Sequence, residues 1–484
     1  MSTLSSLIQL STAFSAEIDL STDFSYNLAA PDQKIEGYLP NRSSRRVMKA
    51  ILDTASPGTD HKVHLIQASY GTGKSYLLLM LAHLLGNNRA DVLATFLQKV
   101  ADKEPQIKDG LAGKLEALTE RDDRFLVVIP NYGDTDFKHA LLQGLITALD
   151  KQGLGYRPPT MYNRAAEVLE AWQLSNPTGY EQFSKKLTGI KIEDFIDLLR
   201  NLDASAYASF KSYFREIVGT SFDESDVADV YSVYSETAKN ITSQGYRGIV
   251  VLYDEFGDML YRMINSPEGS GLPVQDFVQR IKRAGGSGAN ILFLAATHQN
   301  PSSLQEDKKK DITKIIGRFD IHLLGATKDT LDGTADDVEI TDSTEIMGTV
   351  FIRAAASKPQ LDELLHTTGY AKEATATVNK EKLYGKQNTE WISHNVVENL
   401  YPLHPLTARL LPKFSNEYAQ NTRTMFNFLS PSQLEVGGLQ HFLTTQPLRD
   451  ENGRPTLFTP DRLLDFFEDN LMDAKFAQIR SWLD

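Results

Sequence analysis

Residues 68–75 read Ala68-Ser69-Tyr70-Gly71-Thr72-Gly73-Lys74-Ser75. The run matches the phosphate-binding loop G-x-x-x-x-G-K-[ST], with Ala68 in place of the first glycine. Glycines here let successive backbone N–H groups turn inward around phosphate oxygens, and the following helix presents its positive N-terminus. Lys74 then reaches the β and γ phosphates and Ser75 ligates magnesium. The candidate contacts to ATP are therefore Ser69, Tyr70, Gly71, Thr72, Gly73, Lys74, Ser75 and Tyr76. A chance glycine-rich turn before a core helix is the competing explanation. The flanks argue against it: Lys62 to Ala68 reads as an apolar strand, and Ser75 to Leu85 as a leucine-rich helix stopped by Gly86-Asn87-Asn88.

Three more apolar runs lie outward from this loop: Arg124 to Ile129, Gly248 to Tyr253 and Asn290 to Thr297. None alternates polar with apolar, which predicts strands of a parallel sheet buried on both faces, with helical patterns between them. The long stretch between the second and third strands carries helical patterns and no strand, so a helical insertion is expected at about 155–240. The expected organisation is an arm and lead-in over 1–60, an α/β core over 61–330 and a mainly helical C-terminal region over 331–484. Residues 325–345, rich in Gly, Thr and Asp, read as a loop or linker. The chain stops just after a helical pattern at Ala474 to Trp482, which leaves room for it to be a piece of a longer protein.

The third run ends in Asp254-Glu255, where a buried strand delivers one carboxylate to magnesium and a neighbour able to polarise water. Hydrolysis rather than mere binding is implied. Taken alone, such a pair is a solvated strand end; the upstream phosphate loop changes that reading. Asp258, one helical turn on, reads as an exposed or capping acid. The fourth run ends in Thr297-His298-Gln299-Asn300, where parallel sheets bind ligands. Thr297 or Gln299 can contact the γ-phosphate or orient water, and His298 can also be a satisfied histidine beside the sheet. Arg318 precedes a further apolar run, Ile321 to Leu324, and is read either as a salt-bridging residue or as an arginine acting in a neighbouring subunit.

Composition narrows the class. The 484 residues are 41% hydrophobic and 23% charged with a net charge of −13, ordinary for a soluble globular chain and contrary to one coated in nucleic-acid-binding charge. No stretch approaches the ~20 apolar residues of a membrane span, and the N-terminus lacks the basic start of a signal peptide, so a cytoplasmic location is expected. Zero cysteines exclude disulfides, thiolate zinc sites and cysteine nucleophiles, and the ten histidines form no HExxH pattern. Magnesium is thus expected to arrive with the nucleotide.

The order of phosphate loop, Asp-Glu pair, sensor strand and arginine resembles the AAA+ ATPases, in the branch near the replication-initiator and STAND ATPases. The likeness covers residues 38–430. It implies a P-loop NTPase core, a parallel sheet sandwiched by helices, with a C-terminal helical lid. Tyr38-Leu-Pro-Asn-Arg42 is similar to the segment that packs on adenine in that class, and Gln420 to Leu429 to a lid helix whose Arg423 senses nucleotide. More narrowly, Tyr70 to Ser75, Tyr253 to Gly257, Ala296 to Gln299 and Tyr401-Pro-Leu-His-Pro405 resemble the large P-loop ATPases of bacterial phage-defence islands, the BREX type included. Lys74 and Asp254 lie 180 positions apart, beyond the compact AAA+ spacing, which is where the insertion is placed.

The resemblance implies a homo-oligomer that hydrolyses ATP with Mg2+, uses Arg318 as a finger in trans, and couples turnover to nucleic acid and to other defence proteins. A STAND-like switch with slow turnover is the alternative; an interaction scaffold with a structural nucleotide has no need of Glu255. Candidate DNA contacts are Lys308-Lys309-Lys310, Arg280, Lys282, Arg283 and the Arg42, Arg45, Arg46 group, each of which also reads as a solvated face.

Overall fold

The computed structural model describes residues 2–11, 18–56, 58–68, 73–86, 89–103, 110–131, 133–134, 136–223, 229–265, 271–284, 289–297, 309–324, 335–418, 425–431 and 437–471. Its strands are β1 (Gln9–Leu10), β2 (Val63–Gln67), β3 (Arg124–Val128), β4 (Tyr246–Tyr253), β5 (Ile291–Thr297), β6 (Asp320–Leu323) and β7 (Phe351–Ile352). Five of them form one parallel sheet in the order β3-β4-β5-β2-β6. The strand that ends at the phosphate loop and the strand that ends at the acidic pair are therefore not neighbours. β5 runs between them, in register Gln67↔Thr297 on one side and Tyr253↔Ala295 on the other. Three consecutive strand ends thus open on one crevice, the place where open α/β sheets bind ligands.

Alternate residues of these strands supply two separate cores. Ile249, Val251, Tyr253, Phe293 and Ala295 face one side, where they pack with Phe137, Leu141, Phe256, Met259 and Phe277. Val250, Leu252, Leu292, Leu294 and Ala296 face the other, with Leu77, Leu81, Val47, Ile51 and Phe96. Burial on both faces explains why the strands read as unbroken apolar runs. The helix Lys74–Gly86 is itself buried almost all round, sandwiched between the sheet and the helices Arg42–Thr54 and Ala90–Lys103.

The stretch between β3 and β4 is helical and contains no strand among its described residues. Its helices Met161–Ser175, Pro177–Lys186, Ile192–Arg200 and Ala204–Val218 close around Phe183, Phe195, Phe210 and Leu169 and join the first core. The region after β6 is mainly helical with a core of its own. The structure corrects one reading. Residues from Ala335 onward, read as linker to 345, belong to a helix, Ala335–Val350; Asp342, Thr344, Met347 and Val350 are buried, so tertiary packing overrides a composition poor in helix formers. The start of the N-terminal arm packs with the far end of the chain: Leu4, Leu7, Ile8 and Leu10 enter the C-terminal core, and β1 pairs antiparallel with β7. No described helix is long and apolar enough to cross a membrane.

Candidate functional site

β2 ends at Gln67, and the N–H of the next residue, Ala68, donates to the Thr297 carbonyl at 3.3 Å, so the last residue of β5 holds the first of the phosphate loop. Ser69, Tyr70, Gly71 and Thr72 lie outside the described residues. Gly73 takes φ +85° with open space where a Cβ would stand, the left-handed turn that glycine makes without strain, and the helix starts at Lys74. Lys74 is 4% exposed. Its Nζ donates to the Ala68 carbonyl at 3.3 Å. Burial pushes the ammonium down to about 8, against the pull of Glu255 and Asp254 in the opposite direction.

At the end of β4, burial holds the Asp254 carboxyl above the usual range, opposed by a hydrogen bond from the Ser75 hydroxyl. That pairing brings together the two groups expected to hold magnesium, across 179 positions of sequence. Among the described residues no cluster of three or more His, Cys, Asp or Glu could hold a metal by itself. One hydroxyl and one carboxylate suit a Mg2+ ion that keeps phosphate oxygens and waters in its other positions.

Glu255 has φ +50°, a region costly for a residue with a side chain, and such strain concentrates at functional sites. Its N–H donates to Asp254 Oδ1 at 3.0 Å, and its carbonyl accepts from Asp258 and Met259 at 3.1 and 3.3 Å to begin the helix Phe256–Asn265. The chain thus turns from strand to helix within two residues, Asp254 and Glu255. Asp258 is exposed. Gly257 carries a second constraint: a Cβ there would lie 2.2 Å from Thr297 Oγ1. Thr297, 3% exposed, is therefore wedged between the acid turn and, through its carbonyl, the phosphate loop.

Gln299, with His298, and Arg423 lie outside the described residues. Tyr38 is buried, its ring 5.0 Å edge-on from that of Tyr76 on the phosphate-loop helix and its hydroxyl bonded to Ser44; it braces Tyr76 rather than offering an open face. Arg318 donates to the Lys314 carbonyl of its own chain and lies just before β6, at the sheet edge. Several basic candidates are tied down internally. Arg280 pairs with Asp229 at 2.5 Å and covers the Tyr231 ring, Lys282 donates to the Arg318 carbonyl, and Arg45 and Arg46 donate to the carbonyls of Pro40 and Leu323.

A cavity of about 820 Å³ opens beside Ser75, Asp254 and Glu255, lined also by Asn131, Gln143, Arg262 and Ile18 to Ser21 of the arm. Sequence reading missed these wall residues. Asn131 alone carried a signal, a polar residue just past the end of an apolar strand, as Thr297 does.

No family model matches the chain, and no curated protein matches it. Among solved structures, the ORC2 protein of Aeropyrum pernix, solved in ADPNP–ADP complexes, is similar over 92% of this chain and 99% of that one at 14% identity, with a TM-score of 0.28. A superposition at that level carries no argument, and the fold assignment rests on strand order and on where the motifs fall.

Proposed function

We propose that this chain is a Mg2+-dependent ATPase of the AAA+ type. The observation that carries the reading is the meeting of Ser75 with Asp254 beside buried Lys74, with Glu255 held at positive φ on the same rim. Lys74 neutralises the β and γ phosphates, Gly73 and the residues 69–72 before it cradle them, and Ser75 and Asp254 hold the Mg2+, which offsets phosphate charge when bound. Glu255 orients the attacking water and takes its proton. Thr297 and Gln299 are assigned to reading the γ-phosphate. Tyr38 and Tyr76 support the base side, and Arg423 reports the nucleotide to the C-terminal helical region.

Assembly into a homo-oligomer, with Arg318 completing a neighbour's site, and coupling to nucleic acid and to other proteins of phage defence are supported by motif resemblance alone. The STAND-like alternative, a nucleotide-switched assembly with slow turnover, shares every site residue and differs in rate. Phosphate release from ATP by the purified chain, with excess Mg2+ and then with a chelator, tests the proposal. Sustained release that stops on chelation is expected; tight ATP binding without release favours the switch, and neither binding nor release rejects both. Stimulation of that release by added single- or double-stranded DNA tests the nucleic-acid coupling.

A further inference from the structure

His139 lies outside the proposed chemistry yet is bound at both ring nitrogens. It sits in the first turn of the helix Phe137–Lys151, directly after the segment 130–136 that follows β3. The described residues of that segment are held by side-chain hydrogen bonds. Asn131 Oδ1 accepts from the Gly133 N–H at 2.9 Å, Asp134 Oδ1 from the Asp136 N–H at 2.9 Å, and Asp136 caps the helix through the N–H groups of Lys138 and His139. Pro130, Asn131 and Gly133 of this segment wall the cavity that holds Ser75, Asp254 and Glu255.

From there the imidazole reaches in two directions. Nδ1 meets the Asp134 carboxylate, and Nε2 meets the Leu202 carbonyl at 2.7 Å. Leu202 belongs to the helical insertion, in the turn between the helices Ile192–Arg200 and Ala204–Val218, where it takes φ +58°. A second insertion helix brings the Tyr162 ring to 5.8 Å from the imidazole. A carbonyl oxygen only accepts, so Nε2 carries a hydrogen. An ionised carboxylate only accepts, so Nδ1 carries one too. The contact set is complete for the imidazolium alone.

We propose that His139 is a positioning residue: as the imidazolium it ties the helical insertion to the loop 130–136, so that the wall of the nucleotide cavity beside Asp254 and Glu255 is set by the insertion. The kinetic part rests on the ATPase reading above; the structural coupling does not. Its surroundings favour the charged form. The Asp134 hydrogen bond raises the ring to about 8 against burial, with help from the Leu202 carbonyl and Asp136; Asp203, on the insertion side, also feels the charge. A folded-state value above the ordinary ~6.5 means the tie is fully present below that pH and is lost as pH rises through about 8.

Amide-exchange protection of segments 130–137 and 198–206, measured on the full chain at pH 6.5 and 9 together with kcat and KM for ATP, tests this. In wild type, protection of both segments should fall together between the two pH values. His139→Gln should show the low protection at both, with kcat lower by about 10-fold or more and KM near wild type. Asp134→Asn, which keeps the shape, should move the His139 NMR titration midpoint down by roughly one unit. Protection lost in the insertion alone, with the loop and kcat unchanged, overturns the proposal. If wild type hydrolyses no ATP, the functional reading fails while the paired loss of protection still upholds the tie.

Discussion

Strands β2, β4 and β5 are buried along almost their whole length, whereas β6, paired with β2 in the same sheet, alternates half-buried and exposed residues and leaves Ile321 and Leu323 uncovered on one face. The central strands fix their terminal groups from several directions at once. Ala68 is held by Thr297, Thr297 is wedged against Gly257, and Asp254 is bonded by Ser75. Arg318, at the edge, is held by hydrogen bonds within its own segment and from Lys282. On the proposed function, the groups at the centre serve the chain's own nucleotide and half-buried Arg318 at the edge serves a neighbour's.

The largest expected effect breaks or secures that contrast. Arg318→Ala should leave stability within about 0.5 kcal/mol, as for a surface substitution, and ATP affinity near wild type, yet lower turnover by ~10³ if the arginine acts in trans. Mixing with Lys74→Ala subunits should recover part of the activity. Unchanged turnover in Arg318→Ala would make the edge structural only.

Lys74→Ala acts at the centre and should weaken ATP binding by about 2–5 kcal/mol, roughly 30-fold or more in Kd, since a buried charge pair loses one partner. Calorimetric titration with ATP checks it, and retained affinity would remove Lys74 from the phosphates. Gly257→Ala should have the smallest effect, about 1–3 kcal/mol of stability from overpacking against Thr297. Thermal unfolding of Gly257→Ala with and without Thr297→Ala sharpens the point. The double variant should regain part of the loss, because the atom that clashes has been removed.

The groups legible in the sequence are those whose chemistry lies in one contiguous strand–turn–helix passage. Gly73-Lys74-Ser75 and Asp254-Glu255 fall into this class: the first opens the helix that follows β2, and the second directly follows β4. What was not legible depends on contacts across long separations. Nothing local announces that Gly257 must accommodate Thr297, that Tyr38 is covered by Tyr76, or that Leu4 to Leu10 pack beside residues near 350. The helix Ala335–Val350 was hidden for the same reason: its β-branched and acidic residues give a weak local signal, and buried Met347 and Val350 supply what propensity does not. The tie through His139 joins a loop to an insertion 63 residues away, which a short-range pattern does not show.

The central claim is that Glu255, forced into positive φ at the end of β4, activates water on a nucleotide held by Lys74, Ser75 and Asp254. The direct test is to measure ATP affinity and steady-state phosphate release side by side for wild type and Glu255→Gln, which keeps the side chain's size and removes the base. Affinity should stay within error of wild type while release falls by at least ~100-fold. Equal release from the two proteins would contradict the account and place the catalytic base elsewhere.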